Sequence, residues 1–186
     1  MKKALLFSIL ILTSQLNLGQ TLLVNENIQS WTARASYGSW TQSITAGTVN
    51  MTACIVQPAA TANGTGSIGR VQMQAANGIL ELPQISSVSD VEFHFAAGGA
   101  GRTIILQSFN GSTWDNEITF TGIGTTGATY TFTIDQNSPI ILRLSSPSAA
   151  LYVHDIIITS FASIPTLTVS PTTLSGFTYV FGSGPS

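Results

Sequence analysis

The chain has 186 residues and a mass of 19.5 kDa, and only 8% of its residues are charged, whereas glycine occurs 17 times. Its only lysines are Lys2 and Lys3, so the rest of the chain carries four arginines against eight acidic residues. This balance excludes a nucleic-acid partner, because such binding needs clustered Lys and Arg to displace counterions, and the length allows one domain of ordinary size.

The first twenty residues have the pattern of a secretory signal peptide. A charged start at Lys2 and Lys3 precedes an apolar run over residues 4–12, which is too short to span a bilayer stably. A polar end follows, and we expect cleavage after Gly19, giving a signal peptide over residues 1–19. The sequence therefore predicts a secreted or cell-surface protein with no membrane span.

Short apolar runs separated by turn residues recur from residue 21 to residue 161. Their spacing predicts about ten strands, and no segment shows a helical period. Over 88–96 we expect Val91, Phe93 and Phe95 on one face and Asp90, Glu92 and His94 on the other, and over 140–144 we expect Leu142 and Leu144 inward with Arg143 outward. In the run at 48–56, Val49, Met51, Ala53 and Ile55 alternate with Asn50, Thr52, Cys54 and Val56, so each set is expected to share a face and both faces could be covered. The single Cys54 lies in the same run, can form no internal disulfide, and is expected to be a buried thiol. The predicted fold is all-β: an antiparallel two-sheet sandwich of the jelly-roll type.

Two Asn-Gly pairs predict hairpins. Asn110-Gly111 separates two apolar runs within residues 102–120, and Asn77-Gly78 precedes the run at 79–83. Asparagine and glycine both tolerate the positive φ that a primed two-residue turn requires, which makes the pair a strong short-range hairpin signal.

The chain changes character after residue 162. Three prolines interrupt short β-like runs over residues 163–186, and Pro165 is typical of a linker. We expect a linker followed by the truncated start of a second β module, which would make this chain a fragment of a longer protein.

Four segments carry a family resemblance: LLVNENIQSW, GRVQMQAANGILELPQISSVSDVEFHF, ILQSFNGSTW and LYVHDIIIT. Their order resembles the galactose-binding-like, MAM-like jelly-roll ancillary domains of large bacterial secreted proteins, of the kind that precede pectate lyases and other hydrolases. The resemblance implies a jelly roll over residues 21–162 and a similarity of the end of the chain to the start of an Ig-like module. It also implies a non-catalytic module that binds a polysaccharide or cell-surface glycan, with any lyase or hydrolase in a further domain.

Aromatic and arginine side chains are the candidate sugar contacts, because sugar rings stack on flat aromatic faces and guanidinium groups bond hydroxyls. We select five residues for this role, namely Tyr37, Trp40, Trp114, Arg70 and Arg102. The alternative is structural: the tryptophans brace the sandwich edge and the hairpin, and the arginines are solvated surface.

Glu26 in the first strand and Asp155 in the last are the candidate metal ligands. First and last strands lie close together in related jelly rolls, and Ca²⁺ takes six to eight oxygen ligands. A structural Ca²⁺ is therefore one hypothesis. Strict alternation places Asp155 on the apolar face, so the alternative is a buried or bulged carboxylate held by hydrogen bonds.

No residue pattern indicates catalysis. His94 and His154 each lack a nucleophile context, and the pair Asp115 and Glu117 beside the hairpin is typical of solvated charge. The sequence favours a carbohydrate-binding ancillary module that is not an enzyme. The alternative is a structural spacer or adhesin-type sandwich with no small ligand.

Overall fold

The computed structural model describes residues 20–60, 68–147 and 149–161. The predicted signal peptide and the predicted second module at 163–186 lie outside these ranges. The described chain contains one short 3₁₀ helix, Ile28–Ser30, and eleven strands: β1 (Leu22–Asn27), β2 (Arg34–Ile44), β3 (Gly47–Gln57), β4 (Arg70–Met73), β5 (Gly78–Glu81), β6 (Val88–Ala97), β7 (Arg102–Phe109), β8 (Trp114–Ile123), β9 (Ala128–Gln136), β10 (Leu142–Ser146) and β11 (Leu151–Ser160). No helix within the described residues is long and apolar enough to cross a membrane.

All the strand pairs are antiparallel, and they form one hydrogen-bonded path in the order β8-β7-β10-β5-β3-β4-β11-β6-β9, with β1 added on β11 and β2 on β3. We call β8, β7, β10, β5, the first half of β3 and the part of β2 that pairs with that half sheet A. The second half of β3 and β4, β11, β6 and β9 form sheet B. The predicted antiparallel β-sandwich is confirmed.

Strand β3 passes from one sheet to the other at Ala53. Residues before it pair with β5, and Cys54 and its successors pair with β4. Ala53 has φ +50, a left-handed conformation that an L-residue adopts at a cost, and its carbonyl accepts a bond from Gln74 N at 2.9 Å. This bulge shifts the alternation: Val49 and Met51 are buried before it, and Cys54 and Val56 after it. The prediction that Ala53 and Ile55 share the face of Val49 and Met51 is therefore wrong.

The core is built from the inner faces of both sheets. The predicted alternation is confirmed in β10, where Leu142 and Leu144 are fully buried, and in β6 for Val91, Phe93 and Phe95. The prediction that His94 faces outward is wrong, because His94 is buried against the ring of His154. Each buried side chain of this size stabilises the fold by about 1.5–3 kcal/mol relative to exposure.

Phe120 connects the two sheets where the first and last strands of the path, β8 and β9, approach each other. Its ring lies on β8 of sheet A and contacts two rings of sheet B, Phe95 at 5.5 Å and Tyr130 at 5.4 Å between centroids, both edge to face. Ala97 N also donates to the carbonyl of Gly124 at 2.9 Å, after β8 has ended. The two sheets therefore enclose one core.

The hairpin at Asn110-Gly111 is confirmed, because β7 and β8 pair from Arg102 to Phe109. Its turn differs from the predicted primed type: Gly111 has φ +96, but Asn110 does not have positive φ. Instead the Asn110 side-chain oxygen accepts bonds from Ser112 N at 2.9 Å and Thr113 N at 2.8 Å. Asparagine is required here for its side-chain oxygen rather than for its backbone.

The hairpin predicted at Asn77-Gly78 is wrong. Strands β4 and β5 both pair with β3, so they run in the same direction along one edge instead of folding back on each other. Between them the chain makes a short excursion closed by Gly78 N donating to Gln74 O at 2.9 Å, with Ala76 at φ +64.

Candidate functional site

Six side chains form a continuous row across the outer face of sheet A. The strand registers place them opposite one another, and paired residues of an antiparallel sheet share a face. Their sequence neighbours Leu106, Leu144 and Leu80 are buried, so the row itself points outward. We call this set the polar row; from β8 to β2 it consists of Asn116, Gln107, Arg143, Glu81, Asn50 and Thr41.

Hydrogen bonds within the polar row fix its side chains. Gln107 Nε2 donates to Asn116 Oδ1 at 2.7 Å, and Arg143 Nε donates to Gln107 Oε1 at 2.7 Å. Asn50 Nδ2 donates to Glu81 Oε1 at 3.2 Å. Because a guanidinium has five N–H donors and each amide has further donor and acceptor capacity, these bonds use only part of what the row offers.

Arg143 is packed at the centre of this surface. Its guanidinium lies 4.0 Å from the centroid of the Trp114 ring, which in turn contacts Phe109 at 5.2 Å. Burial lowers the pKa of Arg143 from its usual value, and the nearby Glu81 carboxylate acts in the opposite direction. Arginine remains charged at all relevant pH values. The cation therefore lies over an aromatic ring, and the residue opposite it on β5 is a carboxylate.

A groove of about 630 Å³ lies along this face. Arg143 and Gln107 line it together with Ser145, and its wall is formed by the excursion at 76–78 and by Pro147. Gly78 permits this wall, since an added Cβ would lie 2.7 Å from Gln74 N and 2.8 Å from Gln74 O. The excursion that separates β4 from β5 thus borders the polar row.

Two of the predicted sugar contacts lie on the other side of the sandwich. Tyr37 is 39% exposed, and its hydroxyl accepts a bond from Gln72 Nε2 at 2.5 Å. Arg70 stacks on Tyr152 at 4.2 Å and donates to Gln57 Oε1 at 2.7 Å. We call these five residues the Tyr37 patch. They occupy the outer face of sheet B, so they do not meet Trp114.

Trp40 lines a groove of about 370 Å³ together with Thr41 and Asn50, at the β2 end of the polar row. Trp40 is paired with the buried Met51, packs against the core, and donates from Nε1 to Cys54 O at 3.0 Å. Arg102 begins β7 and lies against Gly99, where an added Cβ would be 2.9 Å from Nη2. Of the five predicted residues, the structure therefore places two beside the polar row, Trp114 against Arg143 and Trp40 at the β2 end.

The predicted metal ligands do not converge. Glu26 is opposite Ile156 and Asn27 is opposite Asp155, so the two carboxylates are one register position apart and point to opposite faces. Glu26 Oε2 accepts a bond from Trp31 Nε1 at 3.2 Å. Within the described ranges, no group of three or more His, Cys, Asp or Glu side chains is placed to hold a metal ion.

Asp155 follows a bulge at His154. The register against β6 shifts there, so Val153 and His154 are both buried while Asp155 is only partly buried. His154 Nδ1 lies 2.7 Å from Gly69 O and its ring contacts His94 at 5.5 Å, whereas its Nε2 is buried without a hydrogen-bond partner. Burial lowers the pKa of His154 below its usual value. Alternation alone could not locate this bulge.

The carboxylate pair near the hairpin has structural partners. Asp115 Oδ2 accepts a bond from Asn110 Nδ2 at 2.8 Å, and Glu117 accepts one from the Ser108 hydroxyl. Both carboxylates therefore bond side chains of their own hairpin.

No family model matches the chain, and no curated protein matches it. Solved structures do. The CBM22-1 xylan-binding domain of Xyn10C from Paenibacillus barcinonensis is 15% identical, with 78% of this chain and 98% of that one covered and a TM-score of 0.48. The carbohydrate-binding module CBM6cm-2 of lichenase 5A from Cellvibrio mixtus, in complex with cellotriose, is 12% identical over 75% and 98%, with a TM-score of 0.45.

The K3 cleaved adhesin domain of Lys-gingipain from Porphyromonas gingivalis w83 is also similar, at 12% identity over 76% of this chain and 99% of that one, with a TM-score of 0.49. At these identities and TM-scores the likenesses do not identify a ligand. The assignment of this chain as an antiparallel β-sandwich rests on its own strand pairing.

Proposed function

We propose that the chain is a non-catalytic glycan-binding module and that the polar row is its contact surface. The observation that carries this proposal is the network in which Gln107 bonds both Asn116 and Arg143 on an outward face. Sugar hydroxyls are donors and acceptors at once, and amide and guanidinium groups supply both complements. Side chains already held in place lose less conformational entropy when a ligand binds.

Trp114 and Phe109 add apolar surface beside this network. Binding sites commonly combine aromatic side chains with a few polar groups that fix the orientation of the ligand. Because Arg143 already covers the Trp114 ring at 4.0 Å, we assign Trp114 mainly to holding the guanidinium in place. Trp114 is then a positioning residue, and the polar row makes the hydrogen bonds.

Affinity electrophoresis against xylans, glucans and pectins tests the proposal. Gln107→Ala removes the residue at the centre of the network, so we expect binding to weaken by about tenfold, corresponding to about 1.4 kcal/mol. Gln72→Ala is the matched control, since it deletes the same amide on the opposite face of the sandwich. Loss of binding in Gln72→Ala with retention in Gln107→Ala would instead assign the site to the Tyr37 patch.

A structural spacer is the second candidate. One observation favours it: Gln107 bonds Asn116 and Asn50 bonds Glu81, so part of the hydrogen-bonding capacity of the row is used without any ligand. Absence of retardation on every polymer, with Gln107→Ala and Trp114→Ala behaving as the parent does, would establish the spacer.

The proposal also includes export and further domains. Residues 1–19 would be removed as a signal peptide, and residues 163–186 would lead into another module of the same polypeptide. Mass spectrometry of the protein recovered from the culture medium tests the first point, with Gln20 expected as the first residue. Retention of the leader, or of the protein inside the cell, would contradict it.

A further inference from the structure

The polar row has no net charge. It contains one cation, Arg143, and one anion, Glu81, which are direct partners in the register between β10 and β5. Its other four members are uncharged, and the whole chain has a formal net charge of −2. An acidic polymer would therefore meet no excess of positive charge on this face.

The other arginines of the described chain give this face no excess of positive charge. Arg34 lies over Trp40 at 5.0 Å and lines a groove with Thr41 and Asn50 at the β2 end of the row, but Asp115 and Glu117 are exposed on β8 at the opposite end. Arg70 belongs to the Tyr37 patch on sheet B, and Arg102 lies against Gly99. The residues that the structure describes include no lysine. Recognition of carboxylate groups usually relies on guanidinium forks with an excess of positive charge, which sheet A lacks.

The row also has a direction and a length. It runs perpendicular to the strands and crosses six of them, and five strand spacings amount to about 24 Å. One end is at β8, the last strand of the sheet path, and the other is at β2, which pairs only with β3 among the described strands. The row thus extends from one sheet edge to the other, and no described strand continues past either end.

We infer that the polar row receives a neutral glycan chain that lies across the strands of sheet A and is bound along its interior rather than at its end. This inference rests on the proposed function, since it names the ligand class of the same site. Several consecutive sugars then contact the amides on either side of the central Arg143. Trp114 supports the guanidinium of Arg143 at 4.0 Å from its ring, and the guanidinium donates to sugar hydroxyl groups.

Isothermal titration calorimetry with the full secreted chain tests this inference. The probes are xylo- and gluco-oligosaccharides of increasing length, and polygalacturonate as the acidic polymer, between about 20 mM and about 0.5 M NaCl, a range over which exposed charges become screened. For the neutral ligands we expect affinity to rise with length and then level off, and to change less than about twofold with salt.

Glu81→Gln is the decisive variant, because glutamine keeps the oxygen that accepts from Asn50 Nδ2 and leaves the row with one net positive charge. We expect it to gain salt-sensitive binding of polygalacturonate that the parent protein lacks. Asn50→Ala should weaken long oligosaccharides more than short ones, because Asn50 lies near one end of the row.

The outcomes separate the two proposals. Tighter binding of polygalacturonate than of neutral chains by the parent protein, or equal affinity for a disaccharide and a long oligosaccharide, overturns the inference and leaves the glycan-binding function standing. Failure to bind any of the probes overturns the proposed function, and the inference with it.

Discussion

Replacing Asn110 by alanine should destabilise the protein by about 1–2 kcal/mol, because this side chain closes the β7–β8 turn. Its oxygen accepts from two backbone N–H groups, and its Nδ2 donates to Thr113 Oγ1 at 2.9 Å and to Asp115 Oδ2 at 2.8 Å. Alanine removes all four bonds and leaves only the backbone bond from Asn110 N to Thr113 O. The loss per bond is small because the turn is exposed to water.

Two further variants separate the contributions. Asn110→Asp keeps the two acceptor bonds but removes the Nδ2 donors and faces the Asp115 carboxylate, so it should fall between the parent and Asn110→Ala at low pH and lose more at neutral pH. Gly111→Ala tests the backbone alone, because Gly111 has φ +96 and an added Cβ would meet nothing within 4 Å. We expect this backbone strain to lower the free energy of unfolding by about 1 kcal/mol.

Equilibrium urea unfolding of the four proteins gives these differences, provided that the m-values agree. The reasoning is refuted if Asn110→Ala unfolds within about 0.3 kcal/mol of the parent while Gly111→Ala shows its expected loss. That result would mean that backbone conformation alone determines the turn, as in the primed turn that the sequence predicts.

Four other predictions follow from the packing. Phe120→Ala should lower the free energy of unfolding in urea by about 3–5 kcal/mol, because the ring contacts both sheets, and Phe120→Leu should lower it much less. Equal losses in the two variants would contradict this role of the ring. Unfolded His154 takes up a proton as pH falls through its ordinary pKa of about 6.5 while the buried residue stays neutral. The stabilisation of the folded state by neutral His154 is therefore complete above that pH and is lost as the pH falls below it. The melting temperature should fall more steeply toward pH 5.5 in the parent than in His154→Phe. Burial raises the pKa of Cys54 to about 12, so iodoacetamide should alkylate it only after unfolding, and rapid native labelling would refute this. Because Glu26 and Asp155 point to opposite faces, millimolar Ca²⁺ and chelator should leave the melting temperature unchanged, and a rise with Ca²⁺ would restore the calcium hypothesis.

The sequence predicts the regular strands well because alternation reflects burial directly. Phe93 and Phe95 are inward, and Leu142 and Leu144 flank an outward Arg143, as expected. Alternation fails where the backbone leaves the regular pleat. The positive φ of Ala53 has no signature in its residue type, since asparagine or glycine would be the usual choice for that conformation.

The candidate site could not be predicted as a whole, because its six residues come from six strands. Nothing local distinguishes Gln107 or Asn50 from any other exposed polar residue of a strand, and only the register places them in one row. Trp114 could be identified from the sequence as a candidate site residue, because tryptophan is an uncommon residue with a large side chain and this one lies beside the predicted hairpin. Its partner Arg143 was predicted to face outward, but the stacking of the two requires β10 to lie beside β7, which is a tertiary fact.

The bulge at Ala53 and the excursion between β4 and β5, which the alternation of residues did not predict, also shape the groove beside Arg143. Because β3 bends at Ala53, one strand serves both sheets, and the chain opposite it must break between β4 and β5. That break is the excursion closed by Gly78, in which Gln74 N donates to Ala53 O. The excursion forms the wall of the groove beside Arg143. A straight hairpin at Asn77-Gly78 would remove the wall and leave sheet A with a flat outer face. Gly78→Ala should accordingly lower the free energy of unfolding and weaken the glycan binding that we propose, although residue 78 belongs to no part of the polar row.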